Sequence, residues 1–472
     1  MTFVSVAVLS RYLDKPEYGA YKQVMYVYTT LQTVFVIGLP SIFAYFIPRL
    51  SHGQGKTLVY KFTIILGLLG AILSFVLFFG ATLIAQILNN AELASGLKIF
   101  AFVPLLTLPT IGVEGIYTAL RKTNQFAIYQ IISKIFNLIF IVGPIVLFGG
   151  SYKTALIGWT IAALIIFIYA LWMVNRPYIK INAELIPDLY RMVFKYSIPL
   201  MGVSIVGMLL FTANQFFISR YYGSVVFAEF SNGYIPLPLL GLIISPVRNV
   251  IFPLFSKASY ERDYQAMYQT YKTIISKVIS IAIPLIVFCM FFAKDIIVLL
   301  YGSRYEVSKI YFQISLIKDF FDVLPYFAVL LAFGKSIVYF YAYLLAATVT
   351  CVVDAFIVYN QLDPVFIAVV SSAAHVIIVV SVQLYLHYVL NFRIIQPIKK
   401  HLLIISSHTV SIACIVLLIK IFYFNELGSI TNLMICGSVF LLLLVTTGKR
   451  LKINYMESIS MMYRHFHSML SG

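Results

Sequence analysis

Residues 58–88 read LVYKFTIILGLLGAILSFVLFFGATLIAQIL, and from Phe62 to Leu88 they carry no charge. That run is longer than the roughly 20 apolar residues one helix needs to cross a bilayer. Working outward, the same pattern predicts spans at 1–9, 22–48, 97–120, 125–148, 152–174, 191–218, 229–254, 273–301, 308–333, 336–360, 363–391, 401–424 and 428–447, all with short connections. Composition agrees, since 61% of the 472 residues are hydrophobic and 11% are charged, against about 45–50% and about 25% in soluble domains. The expected fold is an all-α polytopic membrane protein of about 14 transmembrane helices, with no soluble catalytic domain.

A net charge of +17 in a soluble chain would suggest nucleic acid. Here the basic residues sit in the gaps between apolar runs, so no nucleic acid partner is expected. Arg49, Lys56, Arg121, Lys122, Arg176, Lys257, Arg262, Arg393, Lys399, Lys400, Lys449, Lys452 and Arg464 belong to the richer set of loops; Arg11, Lys15, Lys98, Lys153, Arg220 and Arg304 belong to the poorer one. The bias, about two to one, places the richer loops and both termini in the cytoplasm. Only nine residues precede Ser10, too few to span, so the start of helix 1 is expected to lie upstream of Met1. Cys289, Cys351, Cys414 and Cys436 are isolated from one another and from histidine clusters, which argues against disulfides and a metal site. No cofactor is expected.

The chain also repeats itself. Ser10-Arg11-Tyr12 recurs as Ser219-Arg220-Tyr221, Phe46-Ile47-Pro48 as Ile251-Phe252-Pro253, Lys98-Ile99-Phe100 as Lys309-Ile310-Tyr311, and Ala119-Leu120-Arg121-Lys122 as Ala332-Phe333-Gly334-Lys335. Matches in order at a nearly constant offset point to two six-helix lobes of the parallel-repeat type, with a substrate site between them. The domains are then 1–180 (N-terminal lobe, helices 1–6), 181–398 (C-terminal lobe, helices 7–12), 399–448 (helices 13–14, outside the repeat) and 449–472 (a cytoplasmic tail).

Two loop motifs need reading. Gly53-Gln54-Gly55-Lys56-Thr57 has the end of a phosphate-binding loop but neither its first glycine nor a preceding strand, so a solvated cytoplasmic loop is expected. Ser256 to Tyr271 mixes charges with tyrosines and suits either an amphipathic helix in the headgroup layer or an ordinary linker.

Charges inside the spans are the functional candidates, because an ionisable group in hydrocarbon needs a cavity, water or a partner. They are Glu114, Lys134, Arg248, Lys318, Asp319, Asp322 and Asp354. Lys318 and Asp322 share a helix face, as do Asp319 and Asp322. A static Lys318–Asp322 pair and a cation-responsive acidic pair both fit that spacing. Asp354 is expected near the membrane interface, and His375 to pack within the bundle. Pro40, Pro104, Pro109, Pro199, Pro236, Pro238 and Pro246 mark breaks or kinks.

Leu9 to Gly19 (LSRYLDKPEYG), Pro48-Arg49, Ala119 to Lys122, Ser219 to Gly223 and Pro253 to Lys257 resemble the corresponding stretches of Wzx-type polysaccharide flippases of the multidrug/oligosaccharidyl-lipid/polysaccharide (MOP) superfamily. The resemblance implies a non-enzymatic transporter. It would move undecaprenyl-diphosphate-linked oligosaccharide from the cytoplasmic to the outer leaflet of a bacterial inner membrane by alternating access, for surface polysaccharide such as O-antigen or lipopolysaccharide. Arg248 and Lys134 are then expected to bind the diphosphate, and Asp319, Asp322, Glu114 and Lys318 to respond to a coupling proton or sodium. The rival readings are a MATE-like cation or drug exporter, which would favour acidic cavity residues, and a polytopic glycan polymerase or ligase, which would need a sizeable external loop.

Overall fold

The computed structural model describes residues 3–261, 263–392, 395–396, 398–424 and 428–451, with 453, 455, 457 and 460. Arg262, Arg393, Lys452, Arg464 and most of the expected tail lie outside them. The chain divides into two compact units, Met1–Ala228 and Glu229–Gly472.

The first unit holds α1 (Phe3–Tyr12), α2 (Lys15–Phe35), α3 (Pro40–Phe46), α4 (His52–Phe79), α5 (Ala81–Ile87), α6 (Leu93–Phe100), α7 (Val103–Thr107), α8 (Val113–Ala119), α9 (Thr123–Phe148), α10 (Tyr152–Asn175) and α11 (Leu189–Tyr221). Helix α12 (Gly223–Gly233) carries the boundary. The second unit continues with α13 (Pro238–Tyr260), α14 (Tyr264–Phe291), α15 (Ala293–Tyr301), α16 (Ser308–Asp322), α17 (Tyr326–Ala332), α18 (Ser336–Tyr359), α19 (Val365–Tyr388), α20 (Lys399–Tyr423) and α21 (Ser429–Arg450).

Every predicted span is helical. Ten segments are long and apolar enough to cross a membrane, and twelve are if the bent pairs α2/α3 and α12/α13 each count once. The two that fall short of the expected 14 have visible causes. Helix α1 has ten residues, and span 308–333 is interrupted before Pro325 into the shorter α16 and α17, because proline's missing N–H and fixed φ stop the helix.

The internal repeat is written in the backbone. Both bent spans turn by 43°. Left-handed residues recur at the offset read from the sequence: Asn89 and Gly302, Arg121 and Gly334, Gly149 and Gln361. After α8 and α17 the same closure forms, with Lys122 N–H bonded to Tyr117 O at 2.9 Å and Lys335 N–H to Leu330 O at 3.2 Å, the left-handed C-terminal cap of a helix.

Within the first unit the motif residues have packing roles. Asp14 caps α2 by accepting the Glu17 N–H at 2.8 Å. Gly19 lies so close to Ser224 that a Cβ would stand 2.1 Å from its carbonyl oxygen. Gln23 donates to Ser219 Oγ at 2.8 Å, and the Arg220 guanidinium donates to the Ile87 carbonyl at the end of α5. Arg220 thereby closes a helix terminus. Helix α11, which the repeat groups with the later helices, packs on α2 and α3.

Two sequence expectations are corrected. Gly53 to Thr57 is the first turn of α4, not a solvated loop. Ser51 and Gln54 form a capping box, and the stretch holds down the segment before α11. Lys56 Nζ donates to Ile181 O at 2.7 Å, Thr57 Oγ1 donates to Glu184 O at 2.6 Å, and Glu184 accepts from Ser51. A Cβ at Gly53 would stand 2.5 Å from the Glu184 carboxyl carbon, so glycine lets that side chain fold over the turn. Ser256 to Tyr271 is neither one interfacial helix nor a linker; it ends α13 at Tyr260 and begins α14 at Tyr264.

Helices α9 and α10 pack along their length, closest at Gly158, where a Cβ would stand 1.9 Å from the Phe140 carbonyl oxygen. Gly158→Ala must push these backbones apart, and a loss of about 1–3 kcal/mol is expected, the usual cost of overpacking. Gly143 on α9 has open space around it, so Gly143→Ala should be neutral or stabilising. Thermal unfolding of the two purified variants in one detergent checks both.

Candidate functional site

Each unit contains a concentration of polar side chains among the described residues. In the first, a cleft of about 260 Å³ lies between the span Leu93–Ala119, α9 and α10. Two polar sets build it. Gln130, Lys134 and Asn137 occur at positions i, i+4 and i+7 and share one face of α9, while Thr107, Thr110 and Glu114, strung along the span from the end of α7 to the start of α8, line the same cleft. The tight turn through Arg121 makes the two helices run in opposite directions, and the two sets meet across the cleft. Lys134 and Glu114, taken from the sequence as members of different sites, are brought together here, both exposed to the cleft. Among the described residues neither forms an ion pair or hydrogen bond. Asn137 Oδ1 is sequestered and has no partner among the described residues either. Lys134 is twelfth in α9, about 17 Å along its axis at 1.5 Å per residue.

In the second unit the polar groups collect where α12 breaks from α13, at Tyr234-Ile235-Pro236-Leu237. A break in hydrocarbon exposes backbone groups that must be satisfied by side chains or neighbouring elements. Helix α16 supplies both kinds of partner. Asp319 Oδ2 accepts the Leu237 N–H at 2.8 Å, and Ser315 Oγ donates to Ile235 O at 3.0 Å. Tyr234 pairs with Ser372 of α19 at 3.0 Å, and Ser372 donates to Ile314 O at 3.1 Å. Gly233 lets α12 reach α16, since a Cβ would stand 2.1 Å from Ser308 O.

The charges are buried in the same place. Lys318 and Asp319 are 7% and 4% exposed; Lys318 Nζ lies 4.0 Å from Asp319 Oδ1 and 5.6 Å from the centre of the Tyr234 ring, within cation–π range. Asp322 Oδ1 lies 2.8 Å from His375 Nε2. Lys318 thus lies beside Asp319, and Asp322 lies against a histidine from α19. Helix spacing identified which groups share a face but carried no information about the helix opposite.

Asp354, expected near the membrane interface, is 0% exposed, and among the described residues neither carboxylate oxygen has a hydrogen-bond partner. Thr350, one turn earlier on α18, is also fully buried, as α18 and α19 pack together. Position along a helix says how far a residue is from its end, not whether a neighbouring helix covers it. The backbone at Arg248 is helical, and α13 runs unbroken through Pro246; the Arg248 side chain lies outside the described residues. Among the described residues no three His, Cys, Asp or Glu side chains gather into a metal site.

The Leu237 N–H has no replacement for its Asp319 partner if that side chain is truncated. Asp319→Ala is expected to lower stability by about 1–3 kcal/mol, the cost of a buried donor left unmade. Asp319→Asn, which keeps an acceptor oxygen, should cost less. Thermal melts of the two purified variants measure the difference.

The model of one protein family, described as "Polysaccharide biosynthesis protein", matches residues 1–259. Among solved structures, the chain is similar to "Lipid II flippase MurJ, inward closed conformation", at 18% identity and a TM-score of 0.69, over 95% of this chain and 96% of that one. It is also similar to an inward-facing multidrug resistance MATE family transporter of the MOP superfamily, at 13% identity and a TM-score of 0.66, over 82% and 94% of the two chains. A third is a MOP superfamily transporter from Pyrococcus furiosus, at 14% identity and a TM-score of 0.55, over 81% and 90%. At these identities the likeness is one of fold. No curated protein matches the chain in sequence.

Proposed function

Because the chain belongs to the polysaccharide biosynthesis protein family and has a multi-pass helical fold of MOP type, we propose that it flips a polyprenyl-diphosphate-linked oligosaccharide across a bacterial inner membrane. The glycan would feed surface polysaccharide, and both termini would be cytoplasmic. The observation that carries the reading beyond family membership is the ammonium of Lys134, set in a polar cleft halfway along a spanning helix. A diphosphate crossing hydrocarbon needs such a cationic path, while a prenyl tail can stay in lipid. Arg248, as a guanidinium able to hold phosphate with paired hydrogen bonds, remains the second proposed contact.

Transport by alternating access requires something whose binding differs between the two states. Asp319 and Asp322, with Lys318, are the proposed coupling group, since Asp319 holds the break of the bent span α12/α13 and Asp322, one turn on, meets His375. A proton or sodium arriving there would change what holds that break. Asp354, a carboxylate buried without a described partner, joins them because an unpaired buried charge favours a bound cation. Glu114, placed in the cleft with Lys134, is assigned to the ligand instead.

Deletion of the gene should make lipid-linked glycan accumulate on the cytoplasmic face and remove it from the surface. Arg248→Ala should remain abundant without restoring surface glycan, and Arg248→Lys should restore part of it. Asp319→Asn and Asp322→Asn should be present at normal levels, with transport lost or insensitive to the ion gradient. Surface glycan unchanged in the deletion strain, together with loss of export of a cationic dye, would instead favour the exporter reading.

A further inference from the structure

The cleft of the first unit is more elaborate than a diphosphate site needs. A phosphate asks for cations and N–H donors, and Lys134 alone answers. The other groups are a carboxylate, Glu114, two planar amides, Gln130 and Asn137, and the hydroxyls of Thr107 and Thr110, while Tyr129 and Trp159 complete the wall. Carboxylates and amides present oxygens that accept from hydroxyl groups, amides also donate, and an aromatic ring offers a face to the C–H side of a sugar.

We propose that this cleft binds one sugar unit together with the phosphate attached to it, a glycosyl phosphate. Lys134 takes the phosphate, Glu114, Gln130 and Asn137 take ring hydroxyls, and Trp159 and Tyr129 bound the ring. The source of the ligand rests on the flippase reading, in which such a group is the part of the substrate nearest its lipid.

Three observations support the assignment. Lys134 and Glu114 line the same cleft, yet neither has an ion pair among the described residues, so each charge is available to a ligand rather than spent on the other. Gln130, one turn before Lys134 on the same helix face, also lines the cleft and makes no side-chain hydrogen bond among the described residues, so its amide is available as well. The volume, about 260 Å³, is at the small end for ligand sites and admits one ring rather than an oligosaccharide. Depth decides against a resident phospholipid headgroup. Lys134 lies about 17 Å along α9, near the middle of a hydrocarbon core about 30 Å thick, where a headgroup does not rest but a transported one must pass.

The chain has two tryptophans, Trp159 and Trp172, which allows a direct test. In a Trp172→Phe background the full-length protein, purified in nanodiscs, reports from Trp159 alone. Titration with the 1-phosphates of glucose, galactose and N-acetylglucosamine should give a saturable change in its fluorescence for at least one. Inorganic phosphate, glycerol 3-phosphate and methyl glucoside should give none at the same concentrations. Lys134→Ala and Glu114→Gln should each weaken the apparent affinity by about tenfold or more, with far-UV circular dichroism unchanged.

No saturable change with any of the three sugar phosphates overturns the assignment, and that result needs only the Trp172→Phe protein. An equal response to glycerol 3-phosphate overturns it in favour of a lipid headgroup, and unchanged affinity in both cleft variants overturns the residue roles. The flippase reading fails separately. Sugar phosphate binding with no accumulation of lipid-linked glycan in the deletion strain would leave the cleft standing and remove the transport assignment, and accumulation without binding would do the reverse.

Discussion

In hydrocarbon every backbone N–H and C=O must find its partner inside the protein, and the architecture follows from that constraint. It makes the chain helical throughout its spans and makes any interruption expensive. The interruptions that do occur are therefore where side chains have been committed. At the break between α12 and α13, Asp319 and Ser315 take up one N–H and one carbonyl. The acidic residue that sequence reasoning singled out as a functional charge is thus also a structural cap. Such a group can link an ion to a bend, because whatever competes for its oxygens also competes with the backbone.

The same constraint explains where the tightest contacts lie. Gly19, Gly158 and Gly233 each allow a backbone approach that a methyl group would block. Small residues carry close helix packing in membranes because no hydrophobic driving force pulls helices together there. The later helices are tied in by polar bonds instead. Lys420 of α20 pairs with the buried Asp295 of α15, and His401 lies 3.0 Å from both Ser280 Oγ and Ser276 O of α14. Helices 13 and 14 stand outside the repeat in sequence, yet α20 is anchored to its unit by an ion pair.

Hydropathy and repetition were enough to read the fold class, because span length is a property of single segments and the repeat is a comparison between them. All fourteen predicted segments contain helix, and the turn residues Arg121 and Gly334 fall in one of the repeated stretches, Ala119 to Lys122 and Ala332 to Lys335. The site was readable only within each helix. Spacing placed Lys318, Asp319 and Asp322 near one another, but no feature of α16 announces that His375 waits on α19. Nothing in α9 alone says that Lys134 faces Glu114. The burial of Asp354 was hidden for the same reason. Which faces of two helices meet depends on rotation about their axes, and a uniformly apolar helix encodes that rotation weakly, since lipid-facing and helix-facing residues look alike. One signal was available and unused: Gln130, Lys134 and Asn137 form a polar stripe on a helix of otherwise apolar character, and such a stripe has no reason to face lipid.

The two halves share their turns and differ in their chemistry. The left-handed caps recur in register and both bent spans turn by the same angle, so the backbone plan has been kept. The polar groups have not been kept with it. In the first half they stand on two facing helices around an open cleft and leave Asn137 Oδ1 unsatisfied by the described residues. In the second half they lie buried among α12, α16 and α19, where a carboxylate holds the broken backbone and the lysine and histidine lie beside carboxylates. A duplicated scaffold that placed identical polar sets in both halves would have two equivalent sites. Here the first half leaves Lys134 and Glu114 without partners among the described residues, while the second commits Asp319 and Ser315 to a broken backbone, so the two halves do not carry equivalent sets of polar groups.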